Sequence, residues 1–160
     1  MAYIQSLGSD GGTNYSGWTG DTALIVRGTG GVDARINARG VVKEFDVWVA
    51  VSAGSPQIKV KIFRDDGTNY VFIGETPLTT VVQGYNLIRA FIPVEKGDYI
   101  GIYYDASSNV QPRYDGVSDY GACQYKSDTD VTTTTAKSTW STGSSRHSLR
   151  ARIFTRVRPL

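Results

Sequence analysis

Few residues in this chain are of the types that carry covalent chemistry. His147 is the sole histidine and Cys123 the sole cysteine among 160 residues. A nucleophile–histidine device would have to use His147, yet its neighbours Arg146 and Ser148 form nothing like a nucleophile elbow. It is expected to be an ordinary surface histidine. A zinc site needs several histidine or cysteine ligands, and one of each does not supply it. Cys123 has no partner for an intrachain disulfide and is expected to be a small buried apolar residue; pairing between subunits is the other reading.

Carboxylates offer two further chemistries. Glu44 and Asp46 share one strand face roughly 7 Å apart, and glycosidases use carboxylates at about 5–9 Å. Such pairs are common on solvent-facing strands, so no catalytic residue is assigned. The oxygen-rich runs Asp65-Asp66-Gly67-Thr68-Asn69 and Ser127-Asp128-Thr129-Asp130 lack the spacing of an EF-hand. A hairpin turn explains the first. Asp128 and Asp130 remain the candidate calcium ligands in a chain otherwise expected to hold no cofactor.

Aromatic and basic residues suggest binding instead. Ten tyrosines and three tryptophans are present. Trp18 and Trp140 lie in polar loops, Trp48 on a strand face beside Asp46, and Tyr114, Tyr120 and Tyr125 near Asp115 and Asp119. Exposed rings next to Asp, Asn and Arg can hold a sugar, the ring covering its apolar face. The same residues anchor protein interfaces. Trp18, Trp48, Tyr114, Tyr120 and Trp140 are therefore the candidate glycan- or partner-binding residues. The plainer alternative is that loop aromatics plug the ends of a sandwich.

Net charge is +2, of which +5 falls on the last fifteen residues, leaving −3 on the rest. Arg150, Arg152, Arg156 and Arg158 fall on one face of the last strand. A basic stripe of this kind protects an edge from aggregation, or meets an acidic neighbour such as the Asp105–Asp130 region of another subunit. No nucleic-acid motif is present, and the body is acidic.

The elements that must position these residues are strands. No window keeps a 3.6-residue apolar period, whereas period-2 alternation recurs. Phe45, Val47, Val49 and Val51 point one way and Glu44, Asp46 and Trp48 the other. Ile58, Val60 and Ile62 alternate with Lys59 and Lys61. Asp66-Gly67 then marks a hairpin to Tyr70–Ile73. Tyr85–Ile92, Tyr99–Tyr104 and Leu149–Val157 are further strands, the last with Leu149, Ala151, Ile153 and Val157 inward. Thr22–Arg27 and Ala34–Val42 also read as strands. Residues 6–20, 105–119 and 127–145 read as long polar connections. Seven to nine short strands predict an all-β protein, an antiparallel two-sheet sandwich of jelly-roll type. Residues 1–20 are expected to form an extended polar N-terminal arm and 21–160 the sandwich domain.

Val60-Lys-Ile-Phe-Arg64 through Asp66-Gly67, Gly84-Tyr-Asn86 and Ile92-Pro-Val-Glu-Lys-Gly-Asp-Tyr-Ile-Gly-Ile102 together resemble jelly-roll modules of phage virion accessory proteins (decoration or fibre proteins) and of secreted bacterial surface proteins. The resemblance covers about 45 residues and consists mostly of turn chemistry. It implies a fold and a setting, and carries no ligand residue.

The resulting expectation is a non-enzymatic structural or adhesive module of a virion or cell surface. Its partners would be itself or other subunits of a surface lattice. The alternative is a carbohydrate-binding module using loop aromatics. Met1–Ser6 has neither the basic nor the apolar region of a signal peptide, and no segment reads as a membrane span. Either the chain is used without export, as virion proteins are, or it is a module of a longer secreted protein.

Overall fold

The computed structural model describes residues 2–8, 14–15, 20–26, 33–53, 55–105, 109–116 and 123–155; for 2–8, 14–15, 50–53, 109–116 and 145–146 it describes the backbone alone. Among these, regular structure is strand apart from one 3₁₀ turn at Lys137–Thr139. The first strands are β1 (Ala2–Gly8), β2 (Asn14–Tyr15), β3 (Thr22–Ile25), β4 (Gly40–Ala53) and β5 (Gln57–Asp65). Then come β6 (Asn69–Glu75), β7 (Thr79–Thr80), β8 (Gly84–Val94), β9 (Tyr99–Tyr104) and β10 (Asn109–Gly116). The last are β11 (Cys123–Lys126), β12 (Thr135–Ala136), β13 (Ser141–Gly143) and β14 (Ser145–Phe154).

They form two antiparallel sheets. In the smaller, β1, β14, β4 and β8 lie side by side, and β10 enters where β14 and β4 diverge, with β2 beside it. The larger runs β12-β6-β5-β9-β3-β11-β13, with β7 on β5. The chain crosses between sheets at β2 to β3, β3 to β4, β4 to β5, β7 to β8, β8 to β9, β9 to β10, β10 to β11 and β13 to β14.

The inward residues of both sheets make one core. Val42, Phe45, Val47, Val49, Ile88, Ile92, Leu149, Ala151 and Ile153 come from the smaller sheet, and Ala23, Ile25, Ile58, Val60, Ile62, Ile100, Ile102 and Tyr104 from the larger. This is the face-to-face packing of a β-sandwich. The alternation of Phe45, Val47 and Val49 and of Leu149, Ala151 and Ile153 is thus explained by a single buried face. The side chain of Val51 and all of Val157 lie outside the described residues.

A second apolar cluster lies on the opposite side of the larger sheet, formed by Leu24, Phe63, Tyr70, Tyr99, Val131 and Trp140. Residues 127–140 plate that face, so every residue of β9 is buried. Gly101 is required there: a Cβ would come within 2.8 Å of Leu24 Cδ2 and 3.1 Å of the Ala23 carbonyl oxygen.

The two turns of the resemblance form one unit. Arg64, just before the Asp66-Gly67 turn, donates two hydrogen bonds to Asp98 (2.7 and 2.9 Å). Asp98 also accepts from the Glu95 amide (2.8 Å), closing a turn in which Gly97 takes φ +97°. The backbone of Ile36 bonds to Gly97 and Asp98 from the neighbouring segment.

Several expectations change. Residues 2–8 are not an arm: β1 pairs with β14 from Ala2↔Phe154 to Gly8↔Ser148. Residues 34–39 form no strand, their backbone bonding to the 95–98 turn instead. The 105–119 connection contains β10, whose Pro112 pairs with Val49. The 127–145 connection is a cover for the larger sheet.

Candidate functional site

The outward face of the smaller sheet gathers the residues best suited to recognition. On β4, Glu44, Asp46 and Trp48 point outward; opposite them in register stand Arg89, Leu87 and Tyr85 of the edge strand β8. On the other side, Asp46 faces Arg150 and Glu44 faces Arg152 of β14. Trp48 and Tyr85 meet at 5.3 Å between ring centroids, and the Arg150 guanidinium sits 5.1 Å above the Trp48 ring.

Asp46 ties these groups together. Its carboxylate is buried, accepts the Tyr85 hydroxyl proton (2.6 Å) and accepts from Arg152 Nη2 (3.1 Å). Arg152 also pairs with Glu44 at 3.4 Å. The hydrogen bond to Asp46 raises the Tyr85 hydroxyl above its ordinary range. The Glu44–Asp46 pair is therefore a double counter-ion for one guanidinium, not two carboxylates flanking a cleft.

Exposed apolar surface concentrates beside this network. Phe91 (76% exposed), Tyr85 (48%), Leu87 (45%) and Phe154 (37%) all point outward from the smaller sheet. Lys43 Nζ lies 4.7 Å from the Phe154 ring centroid. β8 has β4 on one side and no strand among the described residues on the other. The Tyr85/Leu87/Phe91 alternation was the signal for this patch in the sequence, where Tyr85–Ile92 was read only as a strand.

Other sequence candidates fall elsewhere. Trp140 is no surface platform. It is 7% exposed, packs edge-on against Phe63 (5.8 Å) and Tyr70 (5.2 Å), and donates its Nε1–H to Thr135 Oγ1 (2.9 Å). Its polar neighbours in sequence turn outward while the indole fills the apolar side of the larger sheet. Of the basic stripe, Arg150 and Arg152 do share the outer face, but each is engaged there, by Trp48 and by two carboxylates. Trp18, Tyr120, Arg156 and Arg158 lie outside the described residues, as does the side chain of Tyr114. His147 is not on the surface: it is wholly buried, its Nδ1 3.0 Å from the Tyr104 hydroxyl, and burial pushes it down to about 4.

Of the two candidate calcium ligands, Asp130 is engaged by ammonium groups. Asp130 Oδ2 accepts from Lys59 Nζ at 2.6 Å, and Oδ1 lies 2.6 Å from Lys61 Nζ. Asp128, in the left-handed region at φ 49°, donates its amide N–H to Asp21 Oδ1 (2.9 Å) and is exposed. Two ammonium groups on Asp130 oppose a cation there. In the first oxygen-rich run, Asp66 caps its turn by accepting the Thr68 and Asn69 amides (2.9 and 2.6 Å). No group of three or more metal-ligating side chains is found among the described residues.

Comparison with family models, with curated proteins and with solved structures returned no match. The class of this protein is accordingly defined by its fold: an all-β, antiparallel two-sheet sandwich with one aromatic, partly apolar sheet face.

Proposed function

We propose that this chain is a non-enzymatic structural module that assembles through the outer face of its smaller sheet, on the surface of a virion or a cell. The observation that carries the reading is the row Tyr85, Leu87 and Phe91 on edge strand β8, backed by Trp48 and Phe154. Aromatic and arginine side chains around an apolar centre are the composition of interface anchors. An open edge carrying such a row is a pairing hazard unless something covers it. A second copy of the chain is the simplest cover, because one antiparallel β8–β8 contact is self-complementary and merges both rows.

The strand order supports a jelly-roll reading. β1-β14-β4-β8 and β3-β9-β5-β6, with crossings between sheets, follow the pattern of two Greek keys. The turn-level resemblance to virion and surface modules supports the setting.

A glycan-binding role has one specific observation behind it, the half-exposed Tyr85 ring beside Trp48 and Asp46. Against it, the Arg150 guanidinium already covers one face of the Trp48 indole.

Light scattering on the purified chain over a concentration series tests the proposal. We expect a dimer or larger assembly that becomes monomeric in Phe91→Asp with its circular dichroism unchanged. A wild-type chain that stays monomeric at every concentration overturns self-assembly and moves glycan binding to the front.

A further inference from the structure

Lys61 is an unusual lysine. It lies on β5, pointing away from the main core, and its side chain is 0% exposed. Its ammonium is bonded to Glu75 and to the Val131 carbonyl oxygen (3.0 Å), and the rings of Phe72 and Tyr103 stand 5.5 and 5.8 Å from Nζ. Asp130 Oδ1 is 2.6 Å from the same nitrogen, yet without the alignment of a hydrogen bond. The other Asp130 oxygen is held by Lys59 at 2.6 Å, and Lys59 also reaches Glu75 at 3.1 Å.

The backbone around Asp130 is fixed on both sides. Thr22 Oγ1 donates to the Thr129 carbonyl oxygen (2.6 Å) and accepts from the Val131 amide (3.1 Å). An amine and a carboxyl group are thus pinned in contact, from strands and loops about 70 residues apart in sequence. Holding two reactants in near-attack contact turns a bimolecular encounter into an effectively unimolecular step.

We propose that Lys61 and Asp130 join in an intramolecular isopeptide bond, with Glu75 relaying protons and Lys59 holding the carbonyl oxygen. Glu75 first moves a proton from Lys61 Nζ to Asp130 Oδ1, giving a neutral amine and a neutral acid. The amine attacks Cγ and forms the C–N bond, and the charge that develops on Oδ2 faces the Lys59 ammonium. Glu75 then carries a second proton from nitrogen to Oδ1, the C–Oδ1 bond breaks, and water leaves. An ammonium and a carboxylate become an amide and one water; Glu75 and Lys59 end as they began, and no other reagent is needed.

The ion pair is the starting state. Burial raises the Asp130 carboxyl, but the two nearby ammonium groups outweigh it and the net shift is downward. The neutral pair is therefore a minor species, and one passage per molecule suffices, since an amide is kinetically stable. The bond would rivet the 127–140 cover to the larger sheet, a lock separate from the partner contact proposed above.

Intact mass of the purified full chain is the test. The wild type is expected to weigh one water less than its sequence, and a tryptic digest to contain a branched peptide joining the Lys61 and Asp130 segments. Lys61→Arg and Glu75→Gln are expected to restore the full sequence mass. A wild-type chain at full mass overturns the proposal, as does a water loss that persists in Lys61→Arg. A water loss that persists in Glu75→Gln overturns the relay.

Discussion

His147 and Trp140 show how burial sets the behaviour of single residues. The histidine lies in a fully buried position against Tyr104, whose hydroxyl is itself raised by burial and by Cys123. Its folded-state value of about 4 lies below the ordinary 6.5. A depressed histidine favours folding fully above about pH 6.5, and this contribution fades as pH falls toward 4, because the unfolded chain then binds a proton that the folded chain refuses. The loss should reach about 3 kcal/mol at the lower end. Denaturant melts across this window, compared between wild type and His147→Phe, should show the wild type losing stability faster on acidification. Equal slopes would mean the site is wetter than its geometry indicates. Trp140→Ala should cost roughly 3–5 kcal/mol, measured in the same melts, because it empties the centre of the second apolar cluster. It should leave partner or glycan binding by the folded fraction unchanged. A selective loss of binding with stability intact would restore Trp140 as a contact residue.

Strands were legible in the sequence wherever one face was buried and the other wet. Phe45-Val47-Val49 and Leu149-Ala151-Ile153 alternate because only the inward side meets the core, and Asp66-Gly67 announces its turn by its own side-chain chemistry. At β9 the larger sheet is buried on both faces, and alternation alone does not tell a wet side from a covered one. Lys59 and Lys61 alternate with the core residues Ile58, Val60 and Ile62, yet Lys61 is sealed beneath residues 127–140. Nothing local to Ser127–Ser145 announces that cover, since Val131 and Trp140 are single apolar residues in polar runs and their partners are distant in sequence. β1 was equally hidden: its pairing with β14 is set by a strand at the other end of the chain. That pairing carries a prediction. Deleting residues 1–8 would strip β14 of its outer neighbour and expose a row of unpaired backbone groups from Ser148 to Phe154. Lower stability and light scattering from aggregates on mild heating are expected; an unchanged melting temperature would show that β1 adds no net stability. At the turn between β8 and β9, Asp98→Ala should cost about 2 kcal/mol or more, because it frees both the Arg64 guanidinium and the Glu95 amide.

For the whole molecule, the decisive issue for the proposed assembly is whether charge or apolar area directs it. Sequence alone suggested charge: a basic C-terminal stripe and an acidic stretch, complementary between copies. The described parts of both are largely neutralised within one chain. Arg152 answers Glu44 and Asp46, and Asp130 answers Lys59 and Lys61. What the smaller sheet still presents to a neighbour is Tyr85, Leu87, Phe91 and Phe154. Salt at 0.1 M screens exposed charges separated by more than about 10 Å, but it does not weaken apolar burial, and strongly hydrated anions strengthen it. The proposed assembly should therefore persist from low salt to about 1 M sodium chloride and tighten in sulfate. Phe91→Asp and Leu87→Asp should each dissociate it, and Arg150→Ala should change it far less. Sedimentation velocity at several salt concentrations separates the two mechanisms. Dissociation by sodium chloride with Phe91→Asp still assembled would return the contact to the arginines, including Arg156 and Arg158, and would remove the β8 face from the interface.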